Sequence, residues 1–341
     1  MNTKWLNAIA LVLVVVAVAL VGLKNIKRDK SRPLLNVSYD PTRELYNEIN
    51  AKFIAKYEEE TGSWVGVEQT HGGSTRQARA VADGSLAADV VTLALPSDIE
   101  ILVKRGLVAN DWQKRFPNDS EPYFSTIVFV VRKANPKHIK DWPDLIGPDI
   151  AVITPNPKTS GNGKLSLLAA WGSVIQRGGS ESQALDFVRK LYLHVPVLGQ
   201  GARDSTTTFT LEGIGDVHLT WENEALREAK EAKGDLEIVY PPVSIRAEPS
   251  VTWVDANVAL HKSSPAAKAY LDYLFTDQAQ EILAQHGYRP INTKILLKHQ
   301  DVLPNINLFP VTFIAKDWND AQAKFFGENG FFDNIGQSGT K

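Results

Sequence analysis

From Leu34 onward, short runs of consecutive apolar residues alternate with longer stretches whose apolar residues recur every three or four positions. The first pattern predicts buried strands and the second amphipathic helices. Strands are expected at Leu34–Tyr39, Trp64–Gln69, Ala88–Leu95, Thr126–Val131, Ile150–Ile153, Val195–Leu198, Val217–Trp221 and Val251–Leu260. Between the first two, Leu45, Ile49, Phe53 and Tyr57 share one face of a helix that opens at Pro41. Further helices are expected from Ser74, from about Gly163 to Gln176 before Gly178-Gly179, and over Glu222–Lys233, Ala266–His286 and Asp317–Phe326. The alternating Glu and Lys of Glu222–Lys233 read as a solvated face. Strand-helix-strand order with nearly continuous apolar strands predicts an α/β protein built on parallel sheets. The elements fall into two sets, so two lobes are expected: residues 34–124 with 250–341, and residues 125–249.

The residues before Leu34 follow a different pattern. Lys4 precedes an apolar run from Leu6 to Leu23, broken by Asn7, with Ala17-Val18-Ala19 as a small-residue cleavage site. A basic start, an apolar stretch and such a site make a secretory signal. The run is also long enough for an uncleaved anchor. Lys24, Lys27, Arg28 and Lys30 behind it pull against simple export. Residues 1–33 are read as a signal peptide or membrane anchor followed by a spacer. The net charge of −2 offers no broad basic face for nucleic acid. There is no cysteine, and Met1 is the sole methionine. Disulfides, zinc thiolate sites and iron–sulfur clusters are thereby excluded. A body without sulfur also fits a protein made when sulfur is scarce.

Four loops each end a strand and open a helix: Ser38-Tyr39-Asp40-Pro41, His71-Gly72-Gly73-Ser74, Lys158-Thr159-Ser160-Gly161-Asn162-Gly163 and Gly199-Gln200-Gly201-Ala202-Arg203. Asp40 is expected to cap its helix with Pro41 in the first turn. Ser74 and Gln77 have capping-box spacing. The first N–H groups of a helix lack intrahelical acceptors and carry partial positive charge. Several such ends aimed at one point bind an anion without any cationic side chain. In open α/β sheets that point lies beyond the carboxyl ends of the strands. Trp221 ends a strand of the same set, and an indole N–H donates but never accepts. A single glycine turn before a helix is usually only a turn; four together make anion binding feasible.

Two other motifs fail. Gly161-Asn162-Gly163-Lys164 lacks the P-loop spacing, and Leu165 stands where the Ser/Thr belongs. His71-Gly72-Gly73 has no G-x-S-x-G nucleophile turn to serve. His and carboxylates at metal-ligand spacing are absent as well. An enzyme cleaving sulfate or phosphate esters needs a nucleophile with its base, or a metal. The chain is therefore not expected to be an enzyme, and no metal or cofactor is expected.

The stretches Leu34–Tyr46, His71–Ser74, Val152–Gly161, Gly201-Ala202-Arg203, Gly215-Asp216-Val217 and Trp221–Ala225 carry a resemblance. The chain is similar to the periplasmic sulfate-binding proteins that feed sulfate/thiosulfate ABC importers, from Leu34 to about Phe332. The resemblance implies a type II periplasmic-binding-protein fold: two lobes, each a mainly parallel sheet flanked by helices, joined by a hinge and closing over the ligand. It implies main-chain donors at Asp40, Ser74, Gly161, Asn162 and Ala202, together with the Ser160 hydroxyl and the Trp221 indole. Asn162 departs from the pattern, standing where relatives have a second glycine. It further implies a periplasmic monomer that hands sulfate or thiosulfate to a membrane permease. Molybdate or tungstate on the same fold is the nearest rival ligand, and a membrane-tethered sulfate sensor is the rival role. A donor-only lining selects against phosphate, whose proton needs an acceptor, provided the Asp40 carboxylate turns to its own helix.

Overall fold

The computed structural model describes residues 11–17 and 32–335. Residues 11–17 are helical and exposed; the rest of the expected export segment, apart from Arg32 and Pro33, lies outside the described residues. Among the described residues no helix is long and apolar enough to cross a membrane.

The first sheet contains β1 (Leu34–Tyr39), β2 (Val67–Gly72) and β3 (Val90–Leu93), joined late in the chain by the Ser250–Trp253 strand. The strand order is Ser250–Trp253, β3, β1, β2. The first three strands run parallel, and Ser250–Trp253 runs antiparallel to β3. Every residue of β3 is buried, as a central strand covered on both faces requires. Helices α1 (Arg43–Thr61), α2 (Ser74–Ala82) and α3 (Pro96–Lys104) follow the three parallel strands. Strand β2 begins three residues later than expected, because Trp64 and Val65 belong to the loop before it.

The second sheet holds β4 (Ile127–Arg132), β5 (Val152–Pro155), β6 (Leu198–Gly199), β7 (Val217–Trp221) and β8 (Leu236–Val239). Its order is β6, β5, β7, β4, β8. Strand β5 is parallel to β6 and β7, whereas β4 is antiparallel to β7 and β8. Helices α4 (Gly161–Gln176), α5 (Ala202–Thr210) and α6 (Glu222–Glu231) start just beyond β5, β6 and β7. Between the sheets, Ser125 and Ala247 exchange backbone hydrogen bonds of 3.1 and 2.9 Å. This bridge ties the outgoing and returning connections together.

The end of the chain departs from the expected division. Leu308–Phe309 pairs with Ser244–Ile245, and Phe309, Val311, Ile314, Trp318 and Phe325 enter the core of the second sheet. The Phe309 ring lies so close to Gly172 of α4 that a Cβ there would be 2.1 Å away. Helix α4 is apolar on faces that the sheet alone does not cover, and the C-terminal segment covers the remainder. Residues beyond about 307 therefore pack on the second lobe, whereas Ser264–Tyr273 and Asp277–Gln285 stay with the core of the first. Those two helices replace the single one expected over Ala266–His286, because Thr276 caps a fresh start by accepting from the Ala279 N–H. The strand expected over Val251–Leu260 likewise gives way to a helix at Asp255.

Candidate functional site

Strands β1, β2, β5 and β6 end at the same seam between the sheets, and each passes into a helix there. Asp40 opens a 3-10 turn that runs on into α1; Ser74, Gly161 and Ala202 are the first residues of α2, α4 and α5. The preceding residues Tyr39, Gly73 and Gly201 make no side-chain cap. In α4 the Ser160 hydroxyl accepts only from Gly163 N–H, at 3.5 Å. The N–H groups of Asp40, Ser74, Gly161, Asn162 and Ala202 therefore have neither a helical acceptor nor a cap. Together with Ser160 and Trp221 these residues line one small pocket, a cavity of about 10 Å³. All seven residues singled out from the sequence are thus brought together. The space admits about one water-sized sphere, so its occupant has few heavy atoms. Among the described residues no lysine or arginine lines it.

The side chains of Ser74 and Asn162 are already engaged with the protein. Ser74 Oγ donates to Asp98 at 2.6 Å and accepts from Ala94 N–H at 2.9 Å, so only its main-chain N–H remains. Asn162 spends its amide on Leu219 O and Ser166 Oγ, at 3.3 and 3.2 Å. Its backbone stays in the helix, so Asn in place of Gly costs no left-handed strain. Trp221 is fully buried with its ring 5.3 Å from that of Tyr39. Its indole lies in the wall of the pocket.

Two capping expectations are corrected. Tyr39, not Asp40, is the N-cap, and the Asp40 carboxylate accepts from Arg43 at 2.9 Å instead of capping its helix. Arg43 sits one turn ahead on the same helix, within reach of a charge-assisted bond to that carboxylate. The Ser74–Gln77 capping box does not form either. Ser74 is already inside the helix, and Gln77 donates to Ser38 O at 3.3 Å. His71 is part-buried and is not among the residues that line the pocket. Its Nδ1 lies 3.2 Å from Tyr39 O and 3.3 Å from Thr42 Oγ1, and burial pulls its pKa down to about 4. A neutral imidazole thus braces the Asp40 turn.

Several partners across the seam were not legible in the sequence. Lys164, in the first turn of α4, reaches Asp98 of α3 at 2.8 Å, with both side chains buried. Asp98 also accepts from Ser74 and Thr75, so the second lobe is wired to the α2 donor. Arg203 lies behind its loop, paired with Glu44 of the first lobe and Glu224 of the second, each at 2.6 Å. Arg289 holds Glu222 through two bonds of 2.6 and 2.7 Å. Three glycines set the approach itself. A Cβ at Gly73 would lie 2.5 Å from Thr159 O, one at Gly161 2.4 Å from Ala94 Cβ, and one at Gly201 2.1 Å from Asp40 Oδ2. The only advance signal for Lys164 was a cation inside an otherwise apolar helix; Asp98, distant in sequence, gave none.

A family model described as bacterial extracellular solute-binding protein matches residues 35–289. A sulfate-binding protein of Escherichia coli K12 is 48% identical over 308 residues, covering 90% of this chain and 93% of the relative. A thiosulfate-binding protein of Pseudomonas aeruginosa is 47% identical over 307 residues, covering 89% and 92%. Among solved structures, the sulfate-binding protein of Mycobacterium tuberculosis superposes with a TM-score of 0.78 at 32% identity, covering 86% of this chain and 99% of that one.

Proposed function

This chain belongs to the bacterial extracellular solute-binding proteins, and from that premise we propose that it captures sulfate or thiosulfate in the seam pocket and delivers it to an ABC importer. It is a binding protein and not an enzyme. The observation that carries the reading is the convergence of uncapped helix starts on a pocket lined by neutral donors. Sulfate is a dianion whose dehydration is expensive. Charge-assisted hydrogen bonds contribute roughly 1.5–3 kcal/mol each, so seven donors offset that loss once the lobes exclude water. Helix ends spread the compensating charge, and no lysine or arginine is needed at the ligand.

The proposed donors are the main-chain N–H groups of Asp40, Ser74, Gly161, Asn162 and Ala202, the Ser160 hydroxyl and the Trp221 indole. One chain supplies the whole pocket, which supports action as a monomer. The N-terminal pattern supports export to the periplasm. Relatives named for sulfate and for thiosulfate stand at nearly equal identity, so the choice between the two anions belongs to titration. Isothermal titration of the purified protein with sulfate, thiosulfate, molybdate and phosphate tests the reading. One-to-one binding of sulfate or thiosulfate is expected, with no phosphate binding at pH 7. Tight phosphate binding would mean an acceptor in the pocket, and a preference for molybdate would move the proposal to that rival.

A further inference from the structure

The structure assigns a positioning role to Lys158: we propose that its ammonium ties the loop before α4 to the C-terminal segment and thereby holds the N–H groups of Gly161 and Asn162 in place for the anion. The proposal rests on the sulfate reading above.

The loop is short and folded on itself. Ser160 N–H donates to Asn156 O at 2.9 Å, and Lys158 N–H donates to Asn156 Oδ1 at 2.9 Å. Movement of Lys158 is therefore passed to Ser160 and the first turn of α4. The Lys158 side chain leaves the loop and meets three acceptors, all on the C-terminal segment: Phe326 O at 2.9 Å, Gly327 O at 3.2 Å and Asp333 Oδ1 at 2.7 Å. An ammonium has three protons, so it is saturated and none is left for a ligand. The hydrogen bond from Lys158 also lowers the Asp333 carboxyl below its usual range.

The other end of this tie is anchored on the body of the same helix. Trp171 of α4 meets Phe325 edge-on at 5.0 Å and stacks on Phe331 at 4.9 Å, and Phe332 packs on Tyr192 at 5.3 Å. One segment thus grips both α4 and the loop that enters it. A donor N–H points where its loop is held, and partners behind a ligand's immediate neighbours tune affinity without touching it.

The alternative is that Lys158 acts as a distant cation that attracts the anion. The two roles predict opposite signs for Asp333→Asn. Freeing the ammonium strengthens a distant attraction, whereas cutting the tie loosens the loop. The experiment compares the parent, Lys158→Met, Asp333→Asn and the double variant by calorimetric titration with sulfate. Hydrogen exchange of residues 156–166 is followed in parallel in the anion-free proteins. Each single change is expected to weaken sulfate binding by up to about fivefold, the range for a partly exposed pair. The double variant should be no weaker than Lys158→Met, and exchange in the loop should quicken while melting temperatures stay together. Unchanged loop exchange, or an Asp333→Asn variant that binds sulfate as tightly as the parent or more so, overturns the proposal. If the parent itself takes up no sulfate, the functional reading fails, and the exchange data still judge the tie.

Discussion

Trp221 and Ser160 supply the two proposed donors at the pocket that a substitution can delete without touching the backbone. Trp221→Phe keeps an aromatic ring against Tyr39 and removes the indole N–H. Loss of one charge-assisted bond of roughly 1.5–3 kcal/mol predicts sulfate affinity about 10- to 100-fold weaker by titration calorimetry. A change below threefold would remove the indole from the donor set. His71 makes the complementary prediction. With its pKa near 4, held there mainly by burial, it stays neutral across the physiological range. Sulfate affinity should therefore be flat from about pH 5.5 to 8; a tenfold gain on acidification would assign a protonated imidazole to the site. The donors were legible because main-chain N–H groups depend on where helices start, and glycine and serine mark those starts. The roles of Asp40 and Ser74 were misread for a physical reason. Their oxygens had better partners nearby, Arg43 one turn on and Asp98 on a neighbouring helix, and a capping rule knows only the local chain.

At the scale of elements, period and capping residues identified the strands that carry the site, and failed where tertiary packing decides. Strand β6 is Leu198–Gly199, keeping only Leu198 of the expected Val195–Leu198 run, because it is an edge strand with one neighbour. The C-terminal helices went to the second lobe because α4 needed a cover, which no local pattern encodes. The connection between lobes carries a testable charge. Glu121 lies just before the crossing, and burial, with Glu248 second, raises its pKa to about 8 from the ordinary carboxyl value of 4.5. A carboxyl raised in this way binds its proton more tightly folded than unfolded. Its contribution to stability is whole below about pH 4.5 and is lost as pH rises through about 8. Glu121→Gln should therefore match the parent near pH 4.5 and exceed it at pH 9, on the order of 1 kcal/mol after allowance for partial exposure. Urea unfolding at the two pH values measures the difference, and an equal effect at both would show that Glu121 is ionised throughout.

Across the whole molecule, the contacts that complete the pocket join the two lobes. Lys164 with Asp98 and Arg289 with Glu222 are buried where the lobes meet. Burying such pairs takes back most of what their attraction supplies, so they fix the register of closure more than they drive it. On the reading proposed above, the anion decides the balance by binding a closed state better than an open one. Gly201 isolates that step. Its φ is −154°, a conformation open to alanine, so Gly201→Ala strains no backbone. The added Cβ would meet Asp40 Oδ2 at 2.1 Å, and Asp40 stands on the other lobe. The open form does not feel the clash. Observed affinity scales with the fraction of protein able to close, so sulfate binding should weaken about tenfold or more, equivalent to roughly 1.4 kcal/mol. Anion-free stability should stay within about 0.5 kcal/mol of the parent. Calorimetric titration and anion-free melting on the same preparation separate the two quantities. If both fall together, the lobes meet at Gly201 without the anion, and closure is not the step that the ligand controls.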